Sequence, residues 1–143
     1  MHVTTILAHK GRLVEVAREG TLVRSIAETL TRLKIGAIVV LDESDKLTGI
    51  VSERDIVRAI ADHGADVLDR PVTHIMTRDV VTCREHDTID GLMALMTERR
   101  FRHLPVIEDE RLVGIVSIGD VVKLRVAEVE TDAAALRDYI QAA

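Results

Sequence analysis

A ten-residue pattern occurs twice in this chain, as Gly49-Ile50-Val51-Ser52-Glu53-Arg54-Asp55-Ile56-Val57-Arg58 and as Gly114-Ile115-Val116-Ser117-Ile118-Gly119-Asp120-Val121-Val122-Lys123. Each copy reads Gly, two β-branched residues, Ser, two variable positions, Asp, two β-branched residues and a base. The copies start at positions 49 and 114, so they stand 65 residues apart in a 143-residue chain. A unit of roughly 55–60 residues is marginal alone, because it buries a small share of its surface. Two copies packed through their sheets about a pseudo-twofold axis share one interior and answer that constraint.

Hydrophobic periodicity gives the same order of elements in both halves. Met1 to Gly11 reads as a short helix with Ile6 and Leu7 inward, and Leu13 to Val16 as an extended piece. Leu22, Val23, Ile26, Ala27, Leu30 and Leu33 recur at helical spacing, one stripe toward a core. Ala37 to Leu41 is an unbroken apolar run, the mark of a strand buried on both faces. Asp42 to Asp45 is a turn by composition, Leu47 to Val51 a second strand, and Ser52 opens a helix that ends near Gly64.

After a polar connection, Ala65 to His74, the order repeats. It runs from a short strand at Val80-Val81-Thr82 and a helix through Ile89, Leu92, Met93 and Met96 to strands at Leu104–Ile107 and Leu112–Val116. Ser117 then opens a helix running to Ala127. Aligning Thr31–Ile35 with Thr97–Phe101 shifts the offset to 66, so the second hairpin turn is one residue shorter. Thr131 to Ala143 carries apolar residues at helical spacing and reads as a terminal helix. The helix from Ile118 has more apolar sides than one core needs, which predicts a subunit interface.

Composition removes several classes. Only Phe101 and Tyr139 are aromatic, too few for stacking on single-stranded nucleic acid. The net charge of −5 opposes a general phosphate-backbone binder. The longest apolar run, Ile35 to Leu41, is too short to span a bilayer, and Met1 to Thr5 carries no basic leader. The chain is therefore expected to be cytoplasmic, bound to neither nucleic acid nor membrane.

The repeated Ser and Asp carry the chemistry. Ser52 with Asp55, and Ser117 with Asp120, fit the helix capping box, in which Ser accepts from a first-turn N–H and the acid accepts from the Ser amide. The helix dipole also favours an acid there. The same corner turns a hydroxyl and free N–H groups toward the space beyond the strand end. An Asp held there accepts two hydrogen bonds from a ribose 2′,3′-diol, and Arg54, Arg102 and His103 stand near enough to meet phosphates. Capping alone accounts for both pairs, and the two roles are compatible.

The two copies, with Ile75-Met76-Thr77-Arg78-Asp79-Val80-Val81-Thr82 and Phe101-Arg102-His103-Leu104-Pro105-Val106, resemble a cystathionine β-synthase (CBS) domain pair, or Bateman module, of stand-alone bacterial type. The resemblance covers about residues 3 to 127. It implies an α+β (α/β) fold of two β-α-β-β-α repeats with two clefts, each lined by both repeats. It implies a non-catalytic regulatory module binding AMP, ATP or NAD(H), with Asp55 and Asp120 as ribose ligands and Ser52 and Ser117 beside them. Thr77, Val80 and Val81 would line the adenine slot, and Arg54, Arg102 and His103 would take phosphate. A homodimer and a separate client protein follow as expected partners. The domain limits are 1–70 for the first repeat with its N-terminal helix, 71–130 for the second, and 131–143 for a helical tail.

The copies differ at Glu53-Arg54 against Ile118-Gly119, and at Gly36-Ala37 against Arg102-His103. Two unequal sites, or one dominant site, are expected. The other reading is a structural dimer or adaptor whose motifs serve only as caps. The six His show no metal spacing with Cys83, which also lacks an orienting group for nucleophilic work. No Walker A loop and no G-x-G-x-x-G is present. No catalytic residue, metal or catalytic cofactor is expected, and Met76, Met93 and Met96 read as core.

Overall fold

Helix α2 (Val23–Leu33) forms where the apolar stripe predicts, with Val23, Ile26 and Leu30 buried. Its last turn closes on Lys34, held in the left-handed region at φ 55° with its N–H on Leu30 O. That reversal delivers the chain into β2 (Ala37–Leu41), whose five residues are all buried. Strand β3 (Leu47–Ser52) returns antiparallel, and α3 (Glu53–His63) leaves directly from it, ending at Gly64 at φ 82°. The computed structural model describes residues 1–142 and continues with α4 (Ile89–Arg99), β4 (His103–Glu108), β5 (Arg111–Ser117) and α5 (Ile118–Ala142). Ahead of α2 lie α1 (Val3–Lys10) and β1 (Val16–Arg18). The polar connection holds two 3-10 turns, Ala65–Asp69 and Val72–His74.

The two hairpins preserve the duplication and its deletion. Leu41 pairs with Leu47 across five intervening residues, and Ile107 pairs with Leu112 across four. Both carry a bulge one step before that pair, between Val40 and Leu41 and between Val106 and Ile107. The first turn is held by Asp42 Oδ1, which accepts from the amides of Ser44 and Lys46 at 2.8 and 3.0 Å. The second places Asp109 and Glu110 both at positive φ, 48° and 63°, the two-residue reversal that matches strand twist.

Two expectations need correction. Val80-Val81-Thr82 is not a strand. Pairing there shrinks to Cys83, whose N–H donates to Pro105 O and whose carbonyl accepts from Ile107 N, both at 2.9 Å. The chain then turns away because Arg84 N donates to Asp87 Oδ2 at 2.8 Å. In the first half the matching segment is β1, three residues parallel to β2. The C-terminal segment is not a separate helix either. No Gly or Pro stands between Val121 and Ala142, so α5 runs unbroken for 25 residues; Ala143 lies outside the described residues.

The two cores are closed crosswise. Val3, Ile6 and Leu7 of α1 pack with Ile89, Leu92, Met96, Leu104, Val106, Val116 and Val121 of the second half. Val72 and Met76, at the start of the second half, pack with Val23, Ile26, Leu30, Ile38, Val40, Val51 and Ile56 of the first. The crossings match bond for bond. Val3 N donates to Asp87 O and Ile89 N to Met1 O, while Val72 N donates to Thr21 O and Val23 N to Arg70 O, at 2.7–3.0 Å.

Each crossing segment lies on a repeat glycine. A Cβ on Gly49 would stand 2.5 Å from Met76 Sδ, and one on Gly114 would stand 2.7 Å from Leu7 Cδ2. Met93 packs at the edge of the second core, and Cys83 is buried within it. Burial, then the Asp87 carboxylate, push the Cys83 thiol up to about 12, so it stays protonated and inert near neutral pH.

Because Leu7 is 1% exposed, truncating it leaves a cavity in the second core. Leu7→Ala is expected to lower the unfolding free energy by about 2–5 kcal/mol, read from urea titrations at unchanged m-value. A loss under ~1 kcal/mol would show that α1 does not belong to that core.

Candidate functional site

The end of β3 and the start of α3 form the first corner. Ala37 at the start of β2 faces Ser52 at the end of β3, so the mouth of the hairpin and the N-terminus of α3 open on one side. The capping box is complete there. Ser52 Oγ accepts from Asp55 N at 3.3 Å, and Asp55 Oδ2 accepts from Ser52 N at 2.8 Å and from Ser52 Oγ at 3.1 Å. Both bonds to the carboxylate use the one oxygen, Oδ2. Among the described residues no partner meets Asp55 Oδ1.

Around this corner lies a cleft of about 320 Å³ lined by both repeats. Strand β3 supplies Ile50 and Ser52, and α3 supplies Arg54, Asp55 and Arg58. Thr77, Asp79, Val80 and Val81 come from the crossing segment, and Arg100, Arg102 and His103 from the approach to β4. Eight of the ten residues expected at a site therefore share this one space: Ser52, Arg54, Asp55, Thr77, Val80, Val81, Arg102 and His103. Thr77 is fixed by reciprocal backbone bonds with Ile50, at 2.9 and 3.0 Å. Arg54, Arg58, Arg100 and Arg102 line the cleft together with the acids Glu53, Asp55 and Asp79, and Ile50, Val80 and Val81 give it an aliphatic wall.

The other two residues stand elsewhere. Ser117 lines a second cleft of about 500 Å³ with Lys10, Lys34, Gly36, His103 and Ile115. Asp120 repeats the cap, accepting from Ser117 N at 2.9 Å while its own N–H donates to Ser117 Oγ at 3.2 Å. Its Oδ2 also accepts from Lys10 Nζ at 2.7 Å, and the same ammonium donates to Ile115 O at 3.0 Å. In the first cleft the corresponding Ile50 O accepts from the Thr77 amide instead. A lysine side chain thus reaches into the second corner at the point where a backbone segment enters the first.

These contacts set the charges. Burial opposes ionisation of Asp120, but the Lys10 and Ser117 hydrogen bonds with the Lys10 charge outweigh it and hold the carboxyl below its ordinary value. His103 sits between the clefts with its ring against Gly36, where a Cβ would stand 3.0 Å away. Burial first, then the charges of Lys10 and Arg102, lower its pKa below 6.5 against the pull of Asp120 and Glu53. At neutral pH His103 is uncharged, so it meets an anion by hydrogen bonding while the arginines supply the charge.

Lys10 escaped the sequence reading because it lies 110 residues from its partner and belongs to no motif. Arg100 was legible in principle. It and Lys34 occupy matching left-handed helix ends, at φ 58° and 55°, one bordering each cleft. Among the described residues no group of three or more His, Cys, Asp or Glu could hold a metal, and no helix is long and apolar enough to cross a membrane.

The CBS domain family description matches residues 12–62 and 72–127. A CBS-domain containing protein from Agrobacterium tumefaciens shares 47% identity and superposes with a TM-score of 0.85, over 87% of this chain and 92% of that one. The CBS domain pair of a protein solved in complex with 5′-methylthioadenosine and S-adenosyl-L-methionine is 28% identical, with a TM-score of 0.80 over 90% and 98% of the two chains. A CBS domain protein from Pyrobaculum aerophilum, complexed with AMP, is 27% identical, with a TM-score of 0.75 over 84% and 89%. Among curated sequences, the mitochondrial CBS domain-containing protein CBSX3 of Arabidopsis thaliana is 38% identical over 80% of this chain, which spans 57% of that relative's length.

The Lys10–Asp120 contact has a pH signature. A carboxyl whose pKa is depressed in the folded state stabilises it above its unfolded value of about 4, and that contribution is lost as pH falls through the folded value. Wild type is therefore expected to melt above Lys10→Met at pH 7, with the difference vanishing in acid. A gap in melting temperature that persists at the acid end would show that Lys10 acts through packing alone.

Proposed function

The chain belongs to the CBS-domain family, and from that premise we propose that it is a non-catalytic regulatory module that binds an adenosine nucleotide between its two repeats. The observation that carries this reading is the first cleft, whose lining joins Asp55, with one carboxylate oxygen left free by the capping box, to an aliphatic wall of Ile50, Val80 and Val81 and to four arginines. Asp55 Oδ1 accepts from the ribose diol, and Ser52 stands beside it. Thr77, Val80 and Val81 line the adenine slot. Arg54, Arg58, Arg100 and Arg102 take phosphate, with His103 as an uncharged donor. Two family members solved with adenosine-containing ligands support the ligand class.

The arginines favour a phosphate-bearing ligand such as AMP, ATP or NAD(H) over a neutral nucleoside, since guanidinium groups pair with phosphate by two parallel hydrogen bonds. Ser117 lines the second cleft, whereas Asp120 borders a separate hollow with Lys10 and Lys123, and the Lys10 ammonium already holds its carboxylate. The first cleft is therefore the stronger site. Binding draws the two repeats onto one ligand, and a client protein reads the change in their geometry.

Calorimetric titration with AMP tests the assignment. One site per chain is expected. Asp55→Asn is expected to weaken it about 10–100-fold, the range for a hydrogen bond to a charged group, while Asp120→Asn changes it less than about twofold. AMP is expected to bind more tightly than 5′-methylthioadenosine, with the gap closing as salt rises. Equal sites, or normal binding by Asp55→Asn, would overturn the ribose assignment. No stabilisation by any nucleotide of the panel would leave the adaptor reading in its place.

A further inference from the structure

Helix α5 carries a second pattern that the nucleotide cleft does not use. Val122, Val126, Val129, Ala133, Leu136 and Ile140 follow at spacings of 4, 3, 4, 3 and 4. All six are exposed, and the five larger ones range from 47% at Val122 to 63% at Ile140. The helix meets its own body through other positions: Val121 is buried, Leu124 packs on the second core, and Glu128 is largely covered. At roughly 100° per residue the exposed stripe stands about 140° around the helix from those positions. The body therefore leaves it open.

A stripe of this period is a coiled-coil seam and not the broader face of a packed surface helix. It extends over residues 122–142, about three heptads, the shortest length at which such a seam is diagnostic. Val126 and Ile140 take the a positions with Ala133, and Val122, Val129 and Leu136 take d. Val126 and Ile140 at a, with Leu136 at d between them, match the two-stranded preference, which Val122 and Val129 at d do not share.

The flanking charges choose the partner and its direction. In a parallel pair each g position faces the e position five residues on in the other helix. Here that sets Arg125 against Glu130 of a second copy, and Asp132 against Arg137, and both pairs attract. An antiparallel pair centred on the stripe would instead bring Glu130 onto Glu130 and Lys123 onto Arg137, which repel. We propose that α5 joins two copies of this chain as a parallel two-stranded coiled coil, with the paired repeats held on the outer sides. The inference rests on α5 alone and is independent of the nucleotide reading.

Sedimentation of the full chain with three variants tests it. Wild type is expected to sediment as a dimer in the micromolar range. Leu136→Asp, which places a charge in the seam, is expected to raise the dimer dissociation constant about a hundredfold or more. Its melting curve should keep the module transition, because residues 129–142 are all exposed and none belongs to either core. Asp132→Arg is expected to weaken the dimer, and Asp132→Arg with Arg137→Asp to restore it. Arg125 already lies beside Asp90 and Glu128, so the Asp132 pair is the cleaner reporter.

Leu136→Cys should cross-link two chains under mild oxidation, since parallel register sets the two residues side by side and buried Cys83 does not compete. A monomeric wild type, a dimer indifferent to Leu136→Asp, or failure of the charge exchange to rescue would each overturn the proposal. Cross-linking of Leu136→Cys only to a Val126→Cys partner would overturn the parallel direction.

Discussion

The structure depends on two close approaches, Leu7 onto Gly114 and Met76 onto Gly49. Each requires a residue without a Cβ, because a methyl group at either glycine would overlap the incoming side chain. Each brings apolar surface from the N-terminal part of one half into the core of the other. Neither half can complete its interior alone, so the duplication yields one cooperative body. The clefts follow from the same crossings. Thr77 comes directly after Met76 and Lys10 three residues after Leu7, so the chain that fills a core also supplies the wall beside the strand end.

The corner then does two jobs at little conflict. A capping Asp spends one oxygen on the Ser amide and hydroxyl, and a helix N-terminus favours its charge. The second oxygen is held rigidly because the first is committed. Pre-orientation of this kind limits the ordering cost of binding a diol. Capping and ligand binding thus draw on opposite faces of one carboxylate, and this is why the motif is compatible with both readings of the sequence.

Much of this was legible in the sequence, and the gaps have physical causes. Elements defined by periodicity over many residues, such as α2, α4 and the two hairpins, appear within a residue or two of where the pattern puts them. Val80 to Thr82 looked like a strand because β-branched residues favour extended backbone, yet strand pairing needs a partner edge, and only Cys83 reaches one. The unbroken α5 was split by a polar stretch, Glu128 to Asp132, although nothing in it breaks a helix. The shared cleft was foreseeable from motifs that come in pairs. The crosswise cores and Lys10 were not, because a contact between residues 10 and 120 leaves no periodic trace.

The inequality of the two clefts follows from substitution at matching positions. Where the second repeat has Arg102 and His103, the first has Gly36 and Ala37, and the imidazole of one packs on the missing side chain of the other. This exchange puts Arg102 on the border of the first cleft and an uncharged ring between both. Glu53-Arg54 against Ile118-Gly119 adds a guanidinium and a carboxylate to the first corner, while in the second Lys10 shares Asp120 Oδ2 with the cap and sets a positive charge beside it. A perfect repeat would offer two equal sites and a symmetric response. Divergence at a few wall residues, with both caps and both glycine contacts retained, keeps the body intact while giving the two corners different charge. The symmetry that stabilises the fold is thus confined to the cores and caps, and the asymmetry lies where a ligand would touch.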